Sequence, residues 1–194
     1  MQYPSIVYSN EPYIAQYDNW LTDTEVDTIL SNDFEFVPGR LRRPDGSLQI
    51  DPIRKCQTHR IEYGDNPYFD WLTQKVGDFF DVQNLMCIEP FPMMKYEPGD
   101  YFDWHTDLTG GFKTQRTATM IMYLNDDFEG GHTCFKHRDL KIQPKRGSAL
   151  VYYYTLADPL VHRGESVVAG TKFILNAFVR NGEFTPTDRK SVSY

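Results

Sequence analysis

Five segments of alternating hydrophobicity follow one another between about residues 85 and 180, and no helical pattern separates them. In chain order they read MCIEPFPMMKYEP, TATMIMYLN, HTCFKH, SALVYYYTL and KFILNAFVR. Apolar side chains at every second position indicate strands, and the Gly, Pro and Asp residues between them indicate turns. Several short strands at this spacing predict an antiparallel jelly roll or a small barrel. The chain is therefore expected to be mainly β, with flanking helices.

Two helices are predicted before these strands. The first begins in LTDTEVDTIL, where Thr22 and Glu25 form a capping box. The second is expected from about Pro67 to Asp81, with Asn66 as its cap. Its apolar stripe consists of Phe69, Leu72, Val76, Phe79 and Phe80. Such a stripe indicates a helix that packs one face on the core.

The length of 194 residues is most simply that of one domain with its own core. We expect this domain to cover residues 1–184, with helical support over about 1–84 and the strand core over about 85–184. Residues 185–194, TPTDRKSVSY, are expected to form a flexible tail.

Composition narrows the class of partner and the compartment. A net charge of -7 argues against non-specific binding of nucleic acid, which needs a basic surface. Three scattered cysteines without a C-x-x-C pair predict reduced thiols. No signal-peptide pattern and no apolar run of about 18 residues is visible. A cytoplasmic location without membrane contact is therefore expected.

The stretch YFDWHTDLTGG places His105 and Asp107 two residues apart. Because a strand points every second side chain to one face, both can aim at the same point. Such a pair is either two ligands of a metal ion or a hydrogen-bonded pair on an ordinary polar strand. Two histidines and one carboxylate leave three coordination positions open, which is typical of non-haem iron oxygenases. His162 is the candidate third ligand, and His132 and His137 are weaker candidates.

A lysine opens the last predicted strand. In KFILNAFVR, Lys172, Ile174, Asn176 and Phe178 share one face, and the residues between them share the other. Lys172 lies either in water at the mouth of the strand or in the interior against an anion, since a buried ammonium is costly unless it is paired.

Residues 38–55, PGRLRRPDGSLQIDPIRK, carry five basic residues on an otherwise acidic chain. Their Pro and Gly content predicts a loop. It is either a solvated surface loop or a flap that closes over a site, since long loops in compact domains are often functional.

Four motifs in order resemble the prolyl 4-hydroxylase branch of the iron(II)- and 2-oxoglutarate-dependent dioxygenases. KYEPGDYFDWHTD resembles the family's Tyr-rich strand that ends in H-x-D. RTATMIMYLNDDFEGGHTCF resembles its R-x-x-T-x-x-x-Y-L-N-D stretch followed by G-G-x-T-x-F, and PKRGSALVYY resembles its P-x-x-G-x-A turn and strand. VHRGESVVAGTKFILNAFVRNGEF carries a distal histidine, a G-x-K motif and a closing strand.

The resemblance implies an α+β protein with a double-stranded β-helix core (jelly roll, cupin-like) and N-terminal helices packed on it. It implies Fe(2+), 2-oxoglutarate and O2 as cofactor and co-substrates, and it allows ascorbate. The implied iron ligands are His105, Asp107 and His162. Lys172 would pair with the distal carboxylate of 2-oxoglutarate, with the Tyr123 hydroxyl as a second donor.

The resemblance assigns further positions to the same site. The remaining co-substrate candidates are Tyr96, Asn176 and Thr133. The substrate-binding candidates do not come from the resemblance: they are Tyr101, Arg163 and, in the basic loop, Arg42 and Arg43. Arg116 also matches a family arginine, and we expect it to be structural or to lie at the pocket rim.

The implied activity is hydroxylation of a prolyl or similar residue in a peptide or protein, with release of succinate and CO2. Three positions depart from the family: Phe102 stands where a Tyr is usual, and Phe173 and Phe178 stand where Trp is common. The identity of the substrate therefore stays open. The alternatives are the same chemistry on a nucleobase or small molecule, and a non-catalytic cupin-like metal-binding sensor.

Overall fold

The computed structural model describes residues 3–42, 47–64, 69–108 and 113–184, so the predicted tail lies outside it. The helices within these ranges are α1 (Asp23–Leu30), α2 (Asp70–Phe80) and a 3-10 helix (Leu85–Cys87). The strands, numbered in chain order, are β1 (Ile6–Asn10), β2 (Tyr13–Tyr17), β3 (Val37–Pro38), β4 (Leu41–Arg42), β5 (Leu48–Gln49), β6 (Arg54–Lys55), β7 (Gln57–Ile61), β8 (Phe91–Tyr96), β9 (Tyr101–His105), β10 (Arg116–Tyr123), β11 (Glu129–Gly130), β12 (Thr133–Phe135), β13 (Leu140–Ile142), β14 (Ala149–Tyr153), β15 (His162–Gly164), β16 (Val167–Ala169) and β17 (Lys172–Arg180).

Two antiparallel sheets hold most of these strands. The larger sheet has eight strands in the order β1-β2-β14-β10-β17-β8-β7-β3. The smaller has five in the order β13-β12-β15-β9-β6. Many sheet neighbours are far apart in the chain, such as β2 with β14 and β6 with β9. This arrangement confirms the predicted mainly β, jelly-roll class of fold.

The larger sheet buries side chains on both of its faces. One face packs on the helices, and its core includes Met93, Met120, Met122, Val151, Leu175 and Ala177 together with Val26, Ile29, Leu72 and Val76. The other face meets the smaller sheet, and its core includes Met94, Ile121, Tyr123, Leu150, Tyr152 and Ile174 together with Phe135 and Ile142. The alternation in KFILNAFVR predicted this division, because Leu175 and Ala177 lie on the helix side and Ile174 on the other.

Both predicted helices form. The Thr22 hydroxyl accepts a hydrogen bond from the Glu25 amide, and the Glu25 carboxylate accepts one from the Thr22 amide, which confirms the capping box. In α2, Leu72 and Val76 are buried against the sheet as predicted. The expected cap Asn66 lies outside the described residues. None of the described helices combines the length and apolar character that crossing a membrane requires.

The region before residue 85 contributes more than helical support. It contains β1 to β7, and four of these strands belong to the larger sheet. The larger sheet therefore contains strands from both sides of residue 85, where the helical support was expected to end and the strand core to begin. The sequence did not predict β2, because its residues do not alternate between apolar and polar. This strand lies between β1 and β14 with both faces covered, and four of its five residues are buried.

The segment 38–55 is held at both ends, because β3 pairs with β7 and β6 pairs with β9. A short hairpin, β4-β5, lies between them. Residues 43–46, which include the candidate Arg43, and the side chain of Arg42 lie outside the described part of the chain. Closure of this segment over a site stays a prediction. Measuring coupled turnover in a chain that lacks residues 41–50 would test it.

Candidate metal centre

The pairing of β15 with β9 brings the three candidate ligands together. His162 lies directly opposite His105, and Asp107 follows shortly after β9 ends. Nε2 of His105 lies 3.9 Å from Oδ1 of Asp107, and Nε2 of His162 lies 3.7 Å from Oδ2. One possible ligand atom from each residue lies within 4.8 Å of the others. Among the described residues, this is the group of three that could hold a metal ion.

Both imidazole rings are oriented by backbone carbonyls. Nδ1 of His105 lies 2.7 Å from the Asp103 oxygen, and Nδ1 of His162 lies 2.9 Å from the Leu160 oxygen. Because a carbonyl only accepts, each Nδ1 carries the proton and donates it. Each Nε2 keeps its lone pair on the side of Asp107, the arrangement usual for metal-binding histidines. Leu160 has a φ of 48°, in the left-handed region that few leucines adopt.

Burial and neighbouring charges set the protonation of the group. Burial, together with electrostatic interaction with the nearby His162 ring, lowers the pKa of His105 to about 3, so the His105 ring is neutral near pH 7. Burial alone would raise the pKa of Asp107, but electrostatic interactions with His162, His105 and Arg116 outweigh it and lower the pKa. A neutral imidazole and an ionised carboxylate are the forms that bind metals.

Two hydroxyl groups hold one oxygen of the Asp107 carboxylate. Oδ2 accepts hydrogen bonds from the Tyr152 hydroxyl at 2.7 Å and from the Thr119 hydroxyl at 2.8 Å. The Tyr152 oxygen also lies 3.1 Å from Nε2 of His162. The carboxylate is thus fixed through Oδ2, while Oδ1 faces His105.

A cluster of buried charges lies behind Asp107. Arg116 donates to both oxygens of Glu89, at 2.7 and 2.6 Å, and to the Asp107 carbonyl at 3.2 Å. Arg180 pairs with the same Glu89. The Phe178 ring packs against the Arg116 guanidinium, with 3.5 Å between its centroid and Cζ. Arg116 therefore supports the backbone at the candidate ligand, in agreement with the expected structural role.

Lys172 is buried between the two sheets, with 3% of its surface exposed. Its ammonium donates to the Gly131 carbonyl at 2.6 Å, and the rings of Tyr96 and Tyr123 each lie 5.6 Å away. No carboxylate of the described residues pairs with it, and burial lowers its pKa to about 7. A cation in this state gains most from an anionic ligand, which would replace the lost hydration.

The other co-substrate candidates lie around Lys172. The hydroxyl groups of Tyr123 and Thr133 are 2.8 Å apart, and Tyr96 lies opposite Lys172 in the β8-β17 pair. Asn176 follows on the same strand, and its buried side-chain oxygen has no hydrogen-bond partner among the residues that the structure describes. This amide therefore has unused hydrogen-bonding capacity inside the fold.

The substrate-binding candidates that the structure describes have other partners. The Tyr101 hydroxyl donates to the Pro52 carbonyl at 2.9 Å. Arg163 pairs with Glu165 at 2.9 Å, and its guanidinium lies 4.6 Å from the Trp104 ring. Tyr101 and Arg163 therefore contact different neighbours. Their role in substrate binding stays a prediction.

The weaker histidine candidates lie apart from the ligand group. His137 is exposed, and His132 lies 3.3 Å from the Glu165 carboxylate. Of the departures from the family pattern, Phe102 stacks on His105 with 3.5 Å between the ring centroids, whereas Phe173 lies on the helix side of the sheet.

Three residues of the site were not predicted: Tyr152, Thr119 and Glu89. The signal for Tyr152 is present in SALVYYYTL, where period-two geometry puts it on one face with Leu150. The same pattern does not tell which face points to the ligands. Glu89 lies before its strand and carries no local signal, because its partners Arg116 and Arg180 are distant in the chain.

Sequence comparison agrees with this site. The model of the 2OG-Fe(II) oxygenase superfamily matches residues 91–180. The chain is 33% identical over 210 residues to "Probable prolyl 4-hydroxylase 3" of Arabidopsis thaliana, covering 92% of this chain and 72% of that protein. It is 38% identical over 78 residues to "Putative prolyl 4-hydroxylase" of Acanthamoeba polyphaga mimivirus, covering 37% of this chain and 32% of that relative, and so spans about a third of its length.

Structural comparison gives the same result. The viral collagen prolyl hydroxylase of Paramecium Bursaria Chlorella virus-1, solved with 2-oxoglutarate, matches with a TM-score of 0.67 and 25% identity, covering 88% of this chain and 97% of that one. A Trichoplax adhaerens prolyl hydroxylase in complex with a peptide fragment shares the fold, with a TM-score of 0.68, 17% identity, and coverage of 93% and 87%. The chain belongs to the 2OG-Fe(II) oxygenase superfamily, in its prolyl 4-hydroxylase-like branch.

The residues present fit the metal and the co-substrate of this family. Two imidazoles and a carboxylate are a donor set for Fe(2+) that leaves three positions open. The buried ammonium of Lys172 suits a carboxylate of 2-oxoglutarate, and Asn176, whose side-chain oxygen has no partner among the described residues, lies on the same face of β17.

The ligand group generates the first prediction. His105→Ala, Asp107→Ala and His162→Ala should each abolish saturable binding of a divalent metal, because each removes one of three protein ligands. A calorimetric titration of the metal-free protein would measure this. His137→Ala is the matched control, since this histidine is exposed. Loss of binding in the control with normal binding in His162→Ala would show that the third ligand is wrong.

The lysine pocket generates the second prediction. Lys172→Ala should weaken binding of 2-oxoglutarate to the metal-loaded protein by about 2–5 kcal/mol, because a buried carboxylate loses its cation. Tyr123→Phe should cost about 1 kcal/mol, as one lost hydrogen bond. Lys113→Ala, an exposed lysine, is the control. Equal affinities in wild type and Lys172→Ala would remove Lys172 from the site.

The lowered pKa of Lys172 generates the third prediction. Its ammonium loses its proton as the pH rises through about 7, whereas a bound anion favours the charged form. Binding of 2-oxoglutarate should therefore take up a proton above this pH, and the affinity should fall by up to about tenfold per pH unit. Titrations in buffers of different ionisation heat would measure the uptake. A proton uptake that persists in Lys172→Ala would assign it to another group.

Proposed function

We propose that this chain uses Fe(2+), 2-oxoglutarate and O2 to hydroxylate a prolyl or similar residue in a peptide or protein. One combination carries the proposal: a two-histidine, one-carboxylate group together with a buried lysine that no described carboxylate neutralises. The first suits non-haem iron, and the second suits the distal carboxylate of a diacid. Succinate and CO2 would be the products from the co-substrate.

The side chains of this site would bind, orient and shield the reactants. Iron with 2-oxoglutarate and O2 supplies the oxidising chemistry when it is bound. His105, Asp107 and His162 would hold the metal from one side, and Lys172 would set the far end of the co-substrate. The Phe102 ring, stacked on His105, would keep water from that edge of the site.

A peptide or protein substrate is supported by the relatives. The matched proteins are described as prolyl 4-hydroxylases, and the Trichoplax adhaerens structure holds a peptide fragment of hypoxia inducible factor. The net charge of -7 disfavours a nucleic-acid substrate, although a small molecule fits the same ligand set. A non-catalytic metal-binding module is disfavoured because binding a metal alone requires no buried lysine.

The test is a two-stage turnover assay. The iron-loaded protein should form succinate slowly from 2-oxoglutarate without a further substrate, which a binding module would not do. A proline-containing peptide library should then accelerate succinate formation and give products heavier by one oxygen atom. Asp107→Ala should be inactive in both stages, and His137→Ala should match wild type. Succinate formation without modification of any peptide would favour the small-molecule alternative.

A further inference from the structure

The Tyr152 hydroxyl contacts two candidate ligands and the Thr119 hydroxyl beside them. Its oxygen lies 2.7 Å from Oδ2 of Asp107 and 3.1 Å from Nε2 of His162. Tyr152 is wholly buried, where a hydroxyl needs a partner. Its ring packs on Phe135, at 5.3 Å between centroids, and a phenylalanine ring would keep that contact. The fold thus uses the ring, and the hydroxyl serves the ligand group.

A tyrosine has one hydroxyl hydrogen for these two acceptors. Nδ1 of His162 donates to Leu160, so its Nε2 carries a lone pair that either accepts this hydrogen or binds a metal. Once Nε2 binds a metal, the hydrogen has only Asp107 as its acceptor. The hydroxyl can therefore donate to either ligand before the metal arrives, and it donates to the Asp107 carboxylate afterwards.

Thr119 completes the arrangement from the neighbouring strand β10. Its hydroxyl donates to the same Oδ2 at 2.8 Å and is as deeply buried as Tyr152. With two donors on Oδ2, the carboxylate has only Oδ1 to offer a metal. One-oxygen ligation matters here, because a carboxylate bound through both oxygens would occupy one of the three open positions.

We propose that Tyr152 is a positioning residue of the metal centre: with Thr119, its hydroxyl anchors Oδ2 of Asp107, so that the carboxylate binds the metal through one oxygen. This inference rests on one part of the proposed function, that His105, Asp107 and His162 bind a metal. Hydrogen-bond partners of metal ligands commonly contribute a factor of about 10–100 to metal affinity.

The test measures Mn(2+) binding to the metal-free protein by the electron spin resonance signal of free Mn(2+). Tyr152→Phe should bind about 10–100-fold more weakly than wild type. Tyr153→Phe is the matched control, since this neighbour on the same strand is 42% exposed on the other face. Equal affinities of Tyr152→Phe and Tyr153→Phe would overturn the proposal.

A second pair of variants keeps the proposal testable if Tyr152→Phe does not fold. Thr119→Ser keeps the donor and should bind Mn(2+) like wild type, whereas Thr119→Val should bind more weakly. Water-proton relaxation of bound Mn(2+) should report fewer exchangeable waters in Thr119→Val, because a released Oδ2 reaches the metal. Equal binding and equal hydration of the two variants would refute the anchoring of Oδ2.

The outcomes separate this inference from the proposed function. Weak binding in His105→Ala with normal binding in Tyr152→Phe would leave the metal site intact and remove Tyr152 from it. No saturable Mn(2+) binding in wild type would overturn the metal site itself, and the role of Tyr152 with it.

Discussion

The register of β15 against β9 is the constraint on which the site depends. It sets His162 opposite His105, although the two residues are 57 positions apart in the chain. A shift of one residue would turn one of these histidines to the outer face of the smaller sheet. That sheet is short, so its register depends on the packing of Phe135 and Ile142 against the larger sheet. The hydrophobic contact between the sheets thus helps to set the distance between the candidate metal ligands.

Buried charges serve two purposes in this fold, and their partners tell them apart. Glu89 is shared by Arg116 and Arg180, so each charge of this cluster has an opposite charge as its partner, and the cluster stabilises the backbone beside Asp107. Lys172 is equally buried, but within the described part of the chain its ammonium donates only to a carbonyl, and its pKa is lowered to about 7. An ammonium desolvated in this way would be stabilised by an external anion.

Periodicity predicted five of the ten described strands after residue 85, namely β8, β10, β12, β14 and β17, and the two faces of β17, because those strands alternate between two different environments. It failed for β2, which is covered on both sides, and it could not choose the inner face of SALVYYYTL. The ligands were predicted from motif order, since the H-x-D pattern alone is ambiguous. The backbone at Leu160 could not be predicted from motifs. It is left-handed and its carbonyl orients the His162 ring, but leucine is not a residue type that indicates a left-handed backbone.

The candidate ligands and the groups that anchor them belong to different sheets. His105 and His162 lie on the smaller sheet, whereas Thr119 and Tyr152 reach Asp107 from β10 and β14 of the larger sheet. Separation of the sheets would therefore break the anchors as well as the core. A metal at this point binds only the state in which the sheets are packed, so its binding energy adds to the free energy of unfolding. A change that weakens the packing of the two sheets should therefore also lower the apparent affinity for the metal.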